Sequence, residues 1–182
     1  NLEGLFFPDS YHFACGTSDY HILQLAYQTL QTKLQQAWQQ RDKKILLTTP
    51  YQALIIASIV EREAKLAIER PIIAGIIENR LQKKMRLQID ATVIYGLGKS
   101  YSGKLTHKNL RKATPYNTYL IAGLPPTPIA LPSEASLHAT LHPVYSDLLY
   151  YVAQGNGSHY FSTLLADHRA AIHKYILLKK HT

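Results

Sequence analysis

Cysteine is almost absent from this sequence, and acidic residues and long apolar runs are scarce. Cys15 is the only cysteine among 182 residues, so an intramolecular disulfide and a zinc site built from several cysteines are both excluded. The longest apolar run, Ala53 to Val60, contains a serine and is far too short to cross a bilayer. Charged residues make up 18% of the chain and no low-complexity tract occurs, which argues against a disordered protein.

Basic residues outnumber acidic ones by 20 to 12, which gives a net charge of +8 at pH 7. Such a charge is typical of a soluble basic protein, and it also suits an anionic partner such as a nucleic acid, a membrane surface or an acidic wall polymer. The basic residues form scattered groups, as at 83–86 and 111–112. No nucleic-acid-binding signature accompanies them, so we expect no nucleic-acid partner.

Apolar residues at helical spacing predict three long helices in the first half of the chain, at about 18–40, 49–67 and 71–81. The second has the strongest start signal. Thr49 can cap it, a proline follows at the first helical position, and Gln52 stands where a capping box needs Glu or Gln. The 46% hydrophobic content is enough for one well-packed domain over residues 1–182.

The rest of the chain predicts shorter elements. These are a buried strand at 5–7, short helices after Asp90 and Thr106, a proline-rich loop at 123–132, a helix after Ser133, a β-hairpin at 147–163 and a final helix at 164–178. Helices and strands are segregated rather than alternating. We therefore expect an α+β fold, in which several helices pack with a small, mostly antiparallel sheet and a C-terminal hairpin plus helix.

Glu63 occupies an unusual position on the second helix. At about 100° per residue, and with Ile55 set to zero, Glu63 falls at about 80°. The apolar residues on the same arc are Ile56, Ile59, Val60, Leu66 and Ala67. Glu61 falls at about 240°, on the face with Ser58, where we expect water.

A carboxyl group on an apolar face is costly to ionise, and burial therefore raises its pKa. A raised pKa is what a general acid needs in order to work near neutral pH. The alternative is that Glu63 forms an ion pair with a buried arginine such as Arg80. Helical periodicity alone leaves both interpretations open.

Two further groups are candidates to line a site with Glu63. Gln88 and Asp90 alternate with Leu87 and Ile89, so an extended segment would place both polar side chains on one face. Asp90 equally suits a plain N-cap of the helix that follows it.

The segment 114–119 adds Tyr116, Asn117 and Tyr119, which together can line a sugar site. The same residue types are also common in ordinary turns.

Nine histidines require a test for a metal site. They show neither an HxH nor an HExxH spacing, and only His138 and His142 share a helix face as a possible ligand pair. No acidic motif accompanies that pair, and no glycine-rich phosphate loop or G-x-S-x-G elbow occurs. We expect no metal and no cofactor.

Several motifs, in this order, resemble the endolytic murein transglycosylase family, also called the MltG or YceG-like family. They are Ala57-Ser-Ile-Val-Glu-Arg-Glu63, Asn79-Arg-Leu81, Met85-Arg-Leu-Gln-Ile-Asp90, Thr92-Val-Ile-Tyr-Gly96, Tyr116-Asn-Thr-Tyr119 and Gly123-Leu-Pro-Pro126. The stretch 3–9 and the hairpin with Asn156, Gly157, His159 and Phe161 extend the match over nearly the whole chain. The family often has proline where Ala91 follows Asp90, which puts only the local turn in doubt.

The resemblance implies a function and a setting. By motif position the family's catalytic glutamate falls on Glu63, and Gln88, Asp90, Tyr116, Asn117, Tyr119 and Arg80 become candidates to bind sugar. The family cleaves peptidoglycan glycan strands at the periplasmic face of the bacterial inner membrane, beside peptidoglycan synthases. We expect the family's N-terminal membrane anchor and LysM-like subdomain to be absent from this chain.

The resemblance also implies a mechanism that leaves rivals open. A lytic transglycosylase needs one essential carboxyl group, which serves as acid and then as base, and it yields 1,6-anhydroMurNAc ends. A hydrolase of the same glycan, with Asp90 as second carboxylate, and a non-catalytic wall-binding module are the alternatives. An older label for the family, aminodeoxychorismate lyase, would need pyridoxal phosphate on a lysine, and no lysine context supports it.

Overall fold

The computed structural model describes residues 2–178. Seven α-helices are present in this part of the chain, and they are α1 Asp19–Gln39, α2 Pro50–Glu63, α3 Arg70–Gln82, α4 Asp90–Leu97, α5 His107–Leu110, α6 Glu134–Leu141 and α7 Leu165–Ile172. Single 3-10 turns cover Ala67–Glu69 and Gly98–Ser100, and α7 continues as a π-helical segment, His173–Leu177. None of these helices combines the length and the apolarity needed to cross a bilayer.

Helix α2 is the central element of the fold. Every residue from Ala53 to Val60 is buried, because α1, α3, α4 and α6 all pack against this helix. The predicted capping box is confirmed, since Thr49 accepts a hydrogen bond from the backbone of Gln52 while the Gln52 side chain accepts one from the backbone of Thr49. Burial of each large aliphatic side chain contributes about 1.5–3 kcal/mol, so this helix is a rigid platform for its last residue, Glu63.

The far face of α2 is not open to water, which corrects the expectation for Glu61 and Ser58. Ser58 is fully buried, and its hydroxyl accepts a hydrogen bond from the backbone N–H of Ile129. Glu61 accepts hydrogen bonds from the backbone N–H of Ser133 and from the Ser136 hydroxyl at the start of α6. Burial acts to raise the pKa of Glu61, but these bonds to the charged form outweigh it and lower the pKa. Residue spacing within α2 could not predict this, because α6, which covers the face, lies about 70 residues further along the chain.

The two-stranded hairpin is the only sheet in residues 2–178. Strand β1, Tyr150–Ala153, pairs antiparallel with β2, His159–Ser162, in a register that places Tyr151 opposite Phe161 and Ala153 opposite His159. The predicted hairpin is confirmed, and so is the α+β class, in which helices dominate.

Two expected elements differ from the structure. Residues 5–7 form no strand, because the Phe7 N–H donates to the carbonyl of Ala26 in α1 and no neighbouring strand is present to pair with it. Helix α2 ends at Glu63 instead of about Ala67, because Ala64 adopts an extended conformation with ψ 107°. Leu66 is consequently not part of the apolar face of the helix.

Candidate active site

A cleft of about 600 Å³ opens at the C-terminal end of α2. One side is formed by Glu63 and the segment 87–90, and the other by the hairpin and α7. Its polar lining residues are Glu63, Arg80, Gln88, Asp90, Tyr119, Tyr150, Tyr151, His159, His168 and Arg169. A second cavity, lined by α5 and the end of α4, contains none of the predicted site residues.

Glu63 is half-buried and receives its polar contacts from two other elements. The Tyr151 hydroxyl in β1 donates a hydrogen bond of 3.0 Å to its Oε2, and the backbone N–H of Ala91 at the start of α4 donates another. Burial is the largest influence and raises the pKa of Glu63, and the negative charge of Asp90 acts in the same direction. The two hydrogen bonds and the nearby His159 lower it without cancelling the effect of burial. Glu63 thus has the environment of a general acid.

The expected alternative for Glu63, an ion pair with Arg80, is absent from the described residues. Arg80 is 7% exposed, and its guanidinium donates to the backbone carbonyls of Leu149 at 2.6 Å and Leu87 at 2.7 Å. It therefore joins the hairpin to the segment that carries Gln88 and Asp90. Although Arg80 lines the cleft, these bonds give it a role in holding the cleft together.

All four residues of the segment 87–90 line the cleft, but Leu87 and Ile89 are buried whereas Gln88 and Asp90 are exposed. The predicted alternation is therefore present, although the segment is not a strand and Gln88 has a positive φ of 50°. The N–H of Gln88 donates to the carbonyl of Thr118, which holds this segment against residues 117–119.

Asp90 does not cap α4, which corrects that expectation. The N-cap residue is Ile89, without a side-chain cap hydrogen bond, and Asp90 is the first residue of the helix. The Tyr119 hydroxyl donates to Asp90 Oδ1 at 2.6 Å instead. Burial and that hydrogen bond raise the pKa of Tyr119 well above its ordinary value. Asp90 and Tyr119 thus form one polar unit in the cleft.

Tyr116 and Asn117, also predicted to bind sugar, are not lining residues of this cleft. The Tyr116 hydroxyl is hydrogen-bonded to Thr127 at 2.8 Å, and its ring packs edge-on against Tyr95. Asn117 is fully buried, and its Oδ1 accepts from the backbone N–H of Tyr119. The geometry gives Asn117 a positioning role, because it fixes the backbone of a residue that does reach the cleft.

Six polar residues in or beside the cleft were not predicted from the sequence, and they are Tyr151, His159, Tyr150, His168, Arg169 and Glu69. Tyr151 and His159 lie on the same face of the hairpin, because Ala153 pairs with His159 and lies two residues after Tyr151. Glu69, in the 3-10 turn after α2, accepts hydrogen bonds from the backbone N–H of His159 at 2.8 Å and from its Nδ1 at 2.7 Å. The alternation of residues along the predicted hairpin was the available signal for the first two.

The histidines do not assemble into a metal site in the part of the chain that the structure describes, where no group of three potential ligands is found. The rings of His138 and His142 are stacked, with centroids 4.3 Å apart. Both nitrogens of His142 contact backbone carbonyls, those of His138 and Gln40. This pair is thus engaged in packing at the junction of α1 and α6.

Comparison with known proteins places this geometry in a family. The YceG-like family matches residues 1–174. The chain belongs to the YceG-like family. A YceG-like protein from Listeria monocytogenes, solved by crystallography, superposes with a TM-score of 0.83 and 37% identity over 93% of this chain. A protein of Bacillus subtilis named endolytic murein transglycosylase is 40% identical over 79 residues, or 43% of this chain.

This YceG-like chain spans only part of those relatives. It covers 55% of the Listeria chain and 22% of the Bacillus protein. The fold shared with the Listeria protein therefore concerns about half of that chain, and what the complete relatives do is carried over only as a proposal.

Substitution of Tyr151 tests whether its hydrogen bond lowers the pKa of Glu63 in this YceG-like chain. In Tyr151→Phe the carboxylate loses a donor that stabilises its charged form, so the pKa of Glu63 should rise further. A hydrogen bond to a charged group contributes about 1.5–3 kcal/mol, which corresponds to a rise of about one pH unit or more. The measurement is a ¹³C NMR titration of side-chain carboxyl groups, with the Glu63 signal assigned from its loss in Glu63→Gln.

Tyr160→Phe is the matched control. Tyr160 lies in β2 on the other face of the hairpin and is 39% exposed, so this change should leave the Glu63 titration in place. An unchanged or lower pKa in Tyr151→Phe would contradict the role assigned to Tyr151.

Proposed function

We propose that this domain is the catalytic part of an endolytic murein transglycosylase, and that it cleaves the MurNAc–GlcNAc bond of peptidoglycan glycan strands. The observation that carries the proposal is Glu63, a carboxyl group whose pKa is raised by burial and which lines a cleft large enough for a sugar chain. Membership of the YceG-like family and the similarity to the Bacillus subtilis endolytic murein transglycosylase support the same activity.

In the proposed reaction Glu63 is the acid that protonates the glycosidic oxygen. The C1–O4 bond then breaks, and positive charge develops on the MurNAc ring. The C6 hydroxyl of the same sugar attacks C1, which gives a 1,6-anhydroMurNAc end without water. Because that hydroxyl is already held next to C1, its effective concentration far exceeds that of an external nucleophile. One carboxyl group that acts as acid and then as base is sufficient in principle.

The other cleft residues supply binding. Gln88 offers an amide, and Asp90 offers a carboxylate oriented by the Tyr119 hydroxyl. The Tyr150 ring is covered by Arg80 at 5.1 Å and stacked on His168, so it supports the wall of the cleft. The amide of Gln88 and the carboxylate of Asp90 are suited to hydrogen bonds with a sugar's hydroxyls. We assign these residues to substrate binding.

The proposed substrate implies a cellular location for this activity. Peptidoglycan lies outside the cytoplasm, so we place the action of this domain there. The membrane anchor, the LysM-like subdomain, the inner-membrane face and contact with peptidoglycan synthases, all expected from the family resemblance, remain predictions.

Glu63→Gln tests the catalytic assignment. The amide is isosteric and cannot donate a proton as an acid, so cleavage of purified glycan strands should fall by about 10²–10⁴-fold. Glu61→Gln is the matched control two residues earlier. It should lower the free energy of unfolding by about 1–2 kcal/mol, because Glu61 anchors α6, yet the folded variant should still cut. The assignment would be overturned if folded Glu61→Gln lost its cleavage activity while folded Glu63→Gln kept it.

The product distinguishes a transglycosylase from a hydrolase that uses Asp90 as its second carboxylate. Digestion in oxygen-18 water should give MurNAc ends that are one water lighter than hydrolysis products and carry no heavy oxygen. Asp90→Asn should slow cleavage without changing the product, because Asp90 acts on the charge of Glu63 and on Tyr119. Mass spectrometry of the strands measures both the mass of the MurNAc ends and their oxygen-18 content. Reducing ends that contain oxygen-18 would support the hydrolase instead.

A further inference from the structure

A buried carboxylate and an imidazole form a dyad beside Glu63 that the single-carboxyl reaction does not use. The side chains of Glu69 and His159 are 6% and 11% exposed, and Glu69 Oε2 lies 2.7 Å from His159 Nδ1. The other carboxylate oxygen of Glu69 accepts from the backbone N–H of His159 at 2.8 Å. Two hydrogen bonds to one carboxylate fix both the strand and the ring.

This arrangement determines which ring nitrogen faces the cleft. An ionised carboxylate only accepts hydrogen bonds, so His159 Nδ1 carries the proton and the neutral ring has Nε2 as its acceptor. His159 lines the cleft, and no hydrogen bond from the described residues reaches its Nε2. The ring packs edge-on against Tyr151, with centroids 5.4 Å apart, and Tyr151 is the residue that donates to Glu63.

We infer that His159, held by Glu69, is a second catalytic residue, and that it accepts the proton of the MurNAc C6 hydroxyl as that hydroxyl attacks C1. This inference rests on the proposed function and gives the second proton transfer its own base. A carboxylate that orients an imidazole through Nδ1, and leaves Nε2 to take a hydroxyl proton, is the same division of roles as in the serine protease triad.

The proton of Glu63 moves to O4 as the C1–O4 bond breaks, the O6–C1 bond forms, and the proton on O6 moves to His159 Nε2. Glu63 is then a carboxylate and His159 an imidazolium, and transfer of one proton from the second to the first restores the starting state. No water, oxidant or cofactor is consumed.

Two observations favour His159 over Glu63 as the base. In a 1,6-anhydro ring, O6 occupies the face of C1 from which O4 departs, so the base must stand beside the acid. His159 meets this requirement, because it lines the same cleft as Glu63 and both side chains contact Tyr151. Glu63, in contrast, keeps the donors Tyr151 and Ala91 on its carboxyl group after it loses its proton, which weakens it as a base.

The pH dependence of kcat separates the two cases. The ionisable and charged groups that surround His159 in the cleft are Glu69, Glu63, Asp90, Arg80, Tyr119, Tyr150, Tyr151, His168 and Arg169. A base works only in its unprotonated form, so activity that depends on His159 should be lost on the acid side of the pH profile. If Glu63 serves both transfers, activity persists on the acid side.

His159→Asn is the most informative variant. The asparagine amide nitrogen can occupy the place of Nδ1 and keep the bond to Glu69, while Nε2 is lost. We expect kcat to fall about 10²-fold or more, the acid-side loss of activity to disappear, and the products to remain 1,6-anhydro. His138→Asn, at the remote junction of α1 and α6, should keep the wild-type profile.

Chemical rescue provides an independent readout. In His159→Gly, added imidazole should restore part of kcat, and it should do nothing for Glu63→Gln. A His159→Asn variant with a wild-type kcat and profile, or a folded His159→Gly that imidazole does not rescue, would overturn the inference. Because the identity of the wild-type product is read separately, failure of this inference leaves the proposed function standing, whereas hydrolytic products would remove both.

Discussion

Burial of α2 on every side is the constraint around which the other elements are arranged. Eight consecutive residues, Ala53–Val60, have lost contact with water because four helices surround them. A helix held in this way cannot shift or rotate without opening the core, so the residue at its end has a fixed position. That residue is Glu63, where the chain leaves the helix and the cleft begins.

The cleft combines desolvation with a limited number of hydrogen bonds. Burial makes the charged form of Glu63 unfavourable, and Tyr151 and the Ala91 N–H recover part of that cost. Glu61, two residues earlier, shows the opposite balance, because Ser133, Ser136 and Arg70 stabilise its charge. Environment rather than residue type therefore makes one glutamate a candidate acid and the other a structural anchor.

Much of the framework could be predicted from the sequence because its signals are local. Helical spacing, the capping box at Thr49 and the turn of the hairpin depend on neighbouring residues. The same periodicity predicted apolar surroundings for Glu63, and burial is the largest influence on its pKa in the structure. The error at 5–7 has a physical reason, because a strand needs a partner, and local pattern does not show whether one is present.

The partners of Glu63 could not be predicted, because they are distant in the chain. Tyr151 lies 88 residues after Glu63, and His159 lies 90 residues after Glu69. Those contacts depend on how the hairpin docks beside α2. For the same reason the sequence did not separate Tyr119, which reaches the cleft, from Tyr116, which packs against Tyr95 and bonds to Thr127.

A crystal structure of Glu63→Gln with an uncleaved glycan strand tests the central claim most directly. The account predicts a strand that lies in the cleft between the segment 87–90 and the hairpin. The oxygen that joins MurNAc to GlcNAc should lie within hydrogen-bond reach of the substituted amide, about 2.6–3.2 Å. A strand bound on another surface, or one whose glycosidic oxygens all lie beyond the reach of that amide, would contradict the account.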